Sequence, residues 1–255
     1  MALVAPLPAA GVFGADQLEV DQILRDALAA EERFDTKTAL ALYLQADAAQ
    51  PNDAAILQKI SRQYSDLTID TPDAAEQKRL CSIALQYSER AVALQPEDAL
   101  NLASLAICHG KLGALSGVRT RVKNSRLVQQ YAEQALALDP DCDYAHHVLG
   151  RWHYEVASLD AASRLVVRII YGGLNGASSA EAVRHLQRAT ELAPDLPGHR
   201  LELGFALLAD AQHAEARATF EQALAMPQRE KYEDKSRERA RIALAKLKRD
   251  RDPDS

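Results

Sequence analysis

Ala91-Val92-Ala93-Leu94-Gln95-Pro96 and Ala135-Leu136-Ala137-Leu138-Asp139-Pro140 are two copies of one turn. The pattern returns as Ala46-Asp47-Ala48-Ala49-Gln50-Pro51, as Ala189-Thr190-Glu191-Leu192-Ala193-Pro194 and, shortened, as Ala223-Leu224-Ala225-Met226-Pro227. Seven residues before each leading alanine stands another small residue, at Ala39, Ala84, Val128, Ala182 and Ala216. Self-similarity of this kind marks stacked helical hairpins, because one helix pair cannot bury its own apolar face and must lean on its neighbours.

Successive prolines of these turns are 45, 44, 54 and 33 residues apart, whereas a tetratricopeptide repeat has a period of about 34. The last interval is a plain repeat, and the first three carry extra residues between their two helices. The expected fold is all-α: a tetratricopeptide-like right-handed superhelix of about five helical hairpins with inserted connectors and a C-terminal capping helix. Residues 16–248 form one repeat domain, between an N-terminal tail or signal remnant at 1–15 and a C-terminal tail at 249–255.

The 255 residues are 47% hydrophobic and 26% charged, with aromatics at 5%. That balance suits a solenoid rich in alanine and leucine, both strong helix formers that allow close helix contact. The net charge of −6 is uneven: residues 1–118 hold 9 basic against 16 acidic side chains, and residues 119–255 hold 21 against 20. Residues 229–251 hold ten Lys or Arg against five Asp or Glu, and Arg237, Arg239 and Arg241 are read there as a basic surface for an acidic partner. The competing reading is a solvated terminal helix of alternating sign.

Cys81, Cys108 and Cys142 are unclustered and read as reduced core residues, which favours a cytoplasmic chain. No run approaches the roughly 18 apolar residues of a membrane span. The apolar start, residues 1–14, leaves a shortened export signal as the alternative.

Within the array, Asn52-Asp53 is an N-cap for the second repeat. The connector Leu67-Thr68-Ile69-Asp70-Thr71-Pro72-Asp73 delays that repeat's second helix, and the basic stretch Arg119-Thr120-Arg121-Val122-Lys123 extends the third repeat's second helix backwards. In Leu149-Gly150-Arg151-Trp152-His153-Tyr154 the glycine permits close approach of the neighbouring helix. The long insert at residues 155–177 carries Leu159, Ala162, Leu165, Val166, Ile169 and Ile170 at helical spacing, interleaved with Arg164 and Arg168 and stopped by Gly172-Gly173. It reads as an amphipathic helix whose aliphatic stripe packs onto the array.

No catalytic, metal or cofactor site is read. The acidic turn Asp139-Pro140-Asp141-Cys142-Asp143 puts Tyr144 and Gly150 where a calcium loop needs glycine and glutamate. His146 and His147 are adjacent and point to different sides of a helix, so they are no zinc pair. No phosphate loop, nucleophile elbow or dinucleotide glycine motif is present.

Binding is read from the repeat register instead. Positions 2, 5 and 9 of each first helix line the concave groove of such arrays, and the register assigns Leu24, Leu28, Arg62, Ile107, Tyr144, His147, Arg151, Leu201 and Phe205 to it, with Gln58, Leu100 and Ala103. A mainly apolar groove with two arginines fits a protein or amphipathic-peptide partner. The alternative is a phospholipid carrier whose inserts roof the groove. Inserted helices filling the groove from within are the competing structural outcome.

The long connectors of the second and third repeats, the Gly-Arg-Trp-His-Tyr helix, the hydrophobic basic insert and the Ala-Arg-Ala-Thr-Phe-Glu-Gln-Ala helix at 216–223 together resemble the regulator of microtubule dynamics family, over residues 17–248. The resemblance implies a non-enzymatic scaffold without cofactor. It also implies association with microtubules where the chain is eukaryotic, phospholipid as a second ligand class, and no nucleic acid. The Ala- and Arg-rich composition points to a soluble, bacterial-type member.

Overall fold

The computed structural model describes residues 12–174 and 176–251. Twelve helices and no strand occur among them: α1 (Val12–Glu32), α2 (Thr36–Ala49), α3 (Ala54–Leu67), α4 (Ala74–Leu94), α5 (Ala99–Ala114), α6 (Val118–Leu138), α7 (Asp143–Ala157), α8 (Ala161–Tyr171), α9 (Ser179–Leu192), α10 (Pro197–Ala209), α11 (His213–Ala225) and α12 (Glu233–Arg251). The hairpins are α1/α2, α3/α4, α5/α6, α7/α9 and α10/α11, each stacked on the next. The chain is an all-α tetratricopeptide-like superhelix. The tail or signal remnant expected at 1–15 lies largely outside the described residues, as does the stretch 252–255.

The two alanine series explain why the hairpins close. Ala39, Ala84, Ala182 and Ala216 are fully buried, as are Ala46, Ala91, Ala135, Ala189 and Ala223, and Val128 is nearly so. Small side chains at these points let helix axes approach. Gly150 and Gly204 carry the same logic further. A Cβ on Gly150 would sit 2.6 Å from Leu186 Cγ, and one on Gly204 would sit 2.5 Å from Phe220 Cε1.

Helix starts are marked by side-chain caps. Asp35, Asp53, Asp73, Asp98, Asp160 and Ser178 each accept a backbone N–H from the first turn that follows, a contribution of about 0.5–2 kcal/mol apiece. The N-cap of the second repeat is Asp53, with Asn52 in the left-handed turn before it, φ 65°. The extra residues of repeats two and three become helix: α4 and α6 are 21 residues each, against 14 in α2 and 13 in α11. The basic stretch at 119–123 is therefore the opening of α6.

The insert forms its helix, α8, capped at Gly172 with φ 74°, but its stripe does not pack. Ile169 and Ile170 are 71% and 64% exposed, Leu165 and Val166 are exposed as well, and of the described side chains of α8 only Val167 is buried. Leu159 is half-buried. The place against the Trp152 cluster is taken by Val156, Leu174 and Ala177, which flank α8 in sequence. Arg164 turns back to donate to the carbonyls of Ala157 and Leu159 at 3.0 and 2.9 Å, satisfying the end of α7. Among the described residues no helix is long and apolar enough to cross a membrane.

Candidate functional site

The first helices of the hairpins form one wall of the array, and of the groove residues named from sequence Arg62, Tyr144, His147 and Arg151 face the segment that returns across it, whereas Leu24, Ile107, Leu201 and Phe205 pack into the core. The connector between α11 and α12 and the start of α12 fold back over the wall, so that the groove holds a segment of its own chain.

Arg62 on α3 is the centre of this arrangement. Its Nη2 donates to Glu230 Oε1 at 2.7 Å, and its Nε lies 3.4 Å from Glu31 and 4.0 Å from Asp66. Tyr144 of α7 donates its hydroxyl to the same Glu230 oxygen. Glu230 is 3% exposed, so its charge is compensated by this pair almost out of water. Lys231 extends the contact by pairing with Asp70 at 3.2 Å. Glu31 also accepts from Lys59 and from the Tyr43 hydroxyl at 2.8 Å. Burial pushes the Glu31 carboxyl up, but Arg62, Lys59 and Tyr43 together hold it below its ordinary value. Burial and the nearby Glu230 push the Tyr144 hydroxyl well above the ordinary phenol range, which keeps it a donor.

Further along, His147 is buried with its Nδ1 2.9 Å from His199 Nδ1, and His199 Nε2 lies 2.8 Å from Asp143. The Asp143 carboxylate can only accept, so His199 Nε2 carries a proton toward it. Tyr232 from the folded-back segment meets the His147 ring at 6.0 Å between centroids, near perpendicular. Gly198 makes room for it, because a Cβ there would strike the Tyr232 hydroxyl.

Arg151 pairs with Glu155 at 2.7 Å and lies 3.6 Å from Glu202, a carboxylate 1% exposed. From α12, Ser236 donates to Glu202 at 2.7 Å, and the Arg239 guanidinium stacks 4.1 Å above the Phe205 ring. Leu201 and Phe205 are thus core positions, beneath α11 and α12. Leu24 packs into the core of the first repeats and Ile107 against the Trp152 cluster. Gln58 bonds Ser104 at 2.9 Å, and Leu28 and Leu100 remain exposed.

Of the three arginines assigned to a basic surface, Arg237 is buried. Its guanidinium donates to the carbonyls of Met226 at 2.9 Å and Leu224 at 3.4 Å and to Glu233 at 3.3 Å. Orphan carbonyls at the end of α11 draw it inward. Arg239 is half-exposed over Phe205, and Arg241 is exposed beside Glu238.

The groove's counter-residues, Glu230, Tyr232, Ser236 and Glu202, escaped the sequence reading because they lie in a tract of basic character or on a helix read only at two positions. Cys81, Cys108 and Cys142 are buried free thiols, as expected.

Comparisons with known proteins bear on the fold and the family. Regulator of microtubule dynamics protein 1 of Bos taurus is 25% identical over 186 residues, covering 72% of this chain and 58% of the relative. Protein 3 of that name from Xenopus laevis is 29% identical over 138 residues, 54% of this chain and 30% of the relative. The chain thus spans less than two thirds of the length of these curated relatives. Among solved structures, a thermophilic TPR protein from Thermus thermophilus superposes with a TM-score of 0.63 at 20% identity, over 89% of this chain and 99% of that one; it shares the fold. The family model for regulator of microtubule dynamics protein 1-3 matches residues 23–248, from within α1 into the capping helix, and with the long connectors and the insert inside that span, the chain belongs to the regulator of microtubule dynamics family.

Proposed function

We propose that this chain is a non-enzymatic interaction scaffold whose concave face takes an acidic, amphipathic segment of a protein partner. One observation carries the reading: the face already holds a carboxylate, Glu230, between Arg62 and Tyr144. A groove that accepts a buried acid from its own chain has the charge and the donor geometry to accept one from another. The segment at 227–232 then acts as an internal occupant that a partner displaces. The relatives are named as regulators of microtubule dynamics, and an acidic filament surface is the same chemistry on a larger scale. Microtubule association is therefore the finer form of the proposal.

Microtubule co-sedimentation at low and high salt tests it. Glu230→Gln weakens the internal occupant and is expected to raise the bound fraction. Tyr144→Phe removes one donor to the acid without opening a cavity and is expected to lower binding of an acidic partner. Added salt weakens both complexes. No sedimentation by wild type or Glu230→Gln removes the microtubule reading, and equal binding by Tyr144→Phe moves the interface off the concave face.

A second reading, contact with anionic phospholipid, is favoured by the exposed Leu165, Val166, Ile169 and Ile170 of α8 with Arg164 and Arg168 beside them. Apolar side chains flanked by cations are what an interfacial helix offers to a bilayer. Flotation with anionic vesicles, lost on Ile169→Asp, supports it; flotation unchanged by that substitution excludes α8.

A further inference from the structure

A second polar cluster lies away from the groove, between α7 and α9. His146 and His153 stand seven residues apart on one face of α7. Glu181 and His185 stand four apart on α9, where Glu181 also follows the Ser178 N-cap. The three imidazoles are buried, and Glu181 is half-buried.

The hydrogen bonds fix the tautomers. His146 Nε2 donates to the Pro140 carbonyl at 3.0 Å, so its Nδ1 is an acceptor. His185 Nδ1 lies 2.9 Å from it and therefore carries the proton. The remaining nitrogen, His185 Nε2, is left with a lone pair, 3.9 Å from Glu181 Oε2 and 3.0 Å from the Arg184 guanidinium. The rings of His153 and His185 are stacked at 5.6 Å. One ligand atom each of His153, Glu181 and His185 falls within 4.8 Å of the other two. Among the described residues, His153 Nδ1 is buried with no hydrogen-bond partner.

We propose that His153, Glu181 and His185 bind a divalent transition-metal ion of the zinc class, with His146 orienting His185. Two imidazoles and one carboxylate are a donor set that zinc accepts with a fourth position open, and copper, nickel and cobalt share the preference for imidazole. A ligating histidine whose other N–H is held by a fixed acceptor is the usual outer-shell arrangement, and here the Nδ1 of His146 supplies it. Burial lowers the basicity of His146, His153 and His185, so they are neutral and ready to ligate near pH 7. Binding requires the stacked rings to turn and the ligand atoms to close to about 3.3 Å, the spacing set by metal–nitrogen bonds of about 2.0–2.1 Å. Arg184, whose side chain is 61% exposed, swings into solvent as the ion takes its place on Glu181. His153 lies one turn before the end of α7 and Glu181 in the first turn of α9, so the ion ties together the two helix ends that flank the segment 158–178.

The test uses the full chain without a histidine tag, stripped with chelator and titrated with cobalt(II), then zinc. The expected result is one ion per chain, a tetrahedral cobalt spectrum displaced by zinc, and a melting midpoint raised by zinc. Trp152 is the single tryptophan, its ring 5.0 Å from that of His153, so copper(II) or nickel(II) quenches intrinsic fluorescence on the same titration. His153→Gln and His185→Ala abolish the cobalt spectrum, and His146→Gln weakens binding about 10- to 100-fold while changing the spectrum. Should a histidine variant fail to fold, Glu181→Gln, at a half-exposed carboxylate, is read alone and is expected to weaken binding more than about tenfold. The proposal is overturned by wild-type protein that gives neither spectrum nor quenching, or by binding that persists unchanged in Glu181→Gln and His153→Gln.

Discussion

Replacing glycine by alanine at two helix-interior positions of this chain is expected to give opposite signs. At Gly150 the new Cβ lies 2.6 Å from Leu186 Cγ, 3.1 Å from Leu186 N and 3.2 Å from Ala182 O. Carbon atoms rest at about 3.5–4.0 Å, so the overlap with Leu186 is about 1 Å. Leu186 and Ala182 are both fully buried, and two of the three neighbours are backbone atoms, so α7 and α9 must separate. Overpacking of this kind costs about 1–3 kcal/mol. The gain in helix propensity from Gly to Ala is about 0.8–1 kcal/mol, leaving a net loss of up to about 2 kcal/mol at Gly150. Gly110, in α5, is exposed, and its Cβ would meet Val128 Cγ2 at 3.7 Å, an ordinary contact. There the propensity gain stands alone, and stability rises by up to about 1 kcal/mol. Thermal unfolding followed by circular dichroism reads the difference, at about 2–4 °C per kcal/mol for a domain of this size. Shifts of the same sign at both positions would refute the packing assigned to α7 and α9.

Three further outcomes are expected. Arg62→Ala leaves Glu230 buried without its cation; breaking a buried pair costs about 3–5 kcal/mol, discounted to about 1–3 kcal/mol because Arg62 retains some exposure, and urea titration of that variant beside Arg62→Lys measures it. Limited trypsinolysis should cut first after Arg168 or Arg164, since Val167 is the one buried side chain among those described in α8, and mass spectrometry of the first fragments decides; a native chain resistant there contradicts the exposed stripe. Burial lowers the affinity of His109 for protons, and burial with the nearby His199 and Arg151 lowers that of His147 further. Protonation of these two therefore favours the unfolded chain, their contribution is complete above about pH 6.5 and is lost below it, and the melting midpoint should fall from about pH 7 to pH 5.5 with a shallower slope in His147→Gln.

The hairpins were legible in the sequence because their signals are local. Ala84 and Ala91, or Ala182 and Ala189, mark buried helix faces by size alone, and Pro96 or Pro194 marks the turn that follows, whatever the rest of the chain does. Gly150 announced its contact for the same reason. What covers the concave wall was not legible: Glu230 and Glu233 sit in a tract with twice as many basic as acidic residues, and only the return path of 227–232 across the array reveals that these acids are buried. The spacing of Leu165, Val166, Ile169 and Ile170 dictates a helix with an apolar stripe but carries no information about what lies opposite. The histidine cluster had a readable trace in His146 with His153, and Glu181 with His185, at one- and two-turn spacing. Pairing them needs the register between α7 and α9, which the insert at 158–178 hides.

Arg62 and Glu230 are 168 residues apart in the chain. A row of hairpins that touch only their neighbours frays from its weaker end, since each unit depends on the one beside it. Here the last connector grips the second hairpin, so hairpins two to five close on themselves and only the first hairpin is left as an outer end. Loosening the connector before α12 takes one of its three carboxylates from Arg62 on α3, and loosening α3 strands Glu230. Amide protons in α3 and at the start of α12 should therefore exchange together, and Glu230→Gln, which removes the charge from this closure while leaving every neighbour contact in place, should shift the protein toward sequential melting.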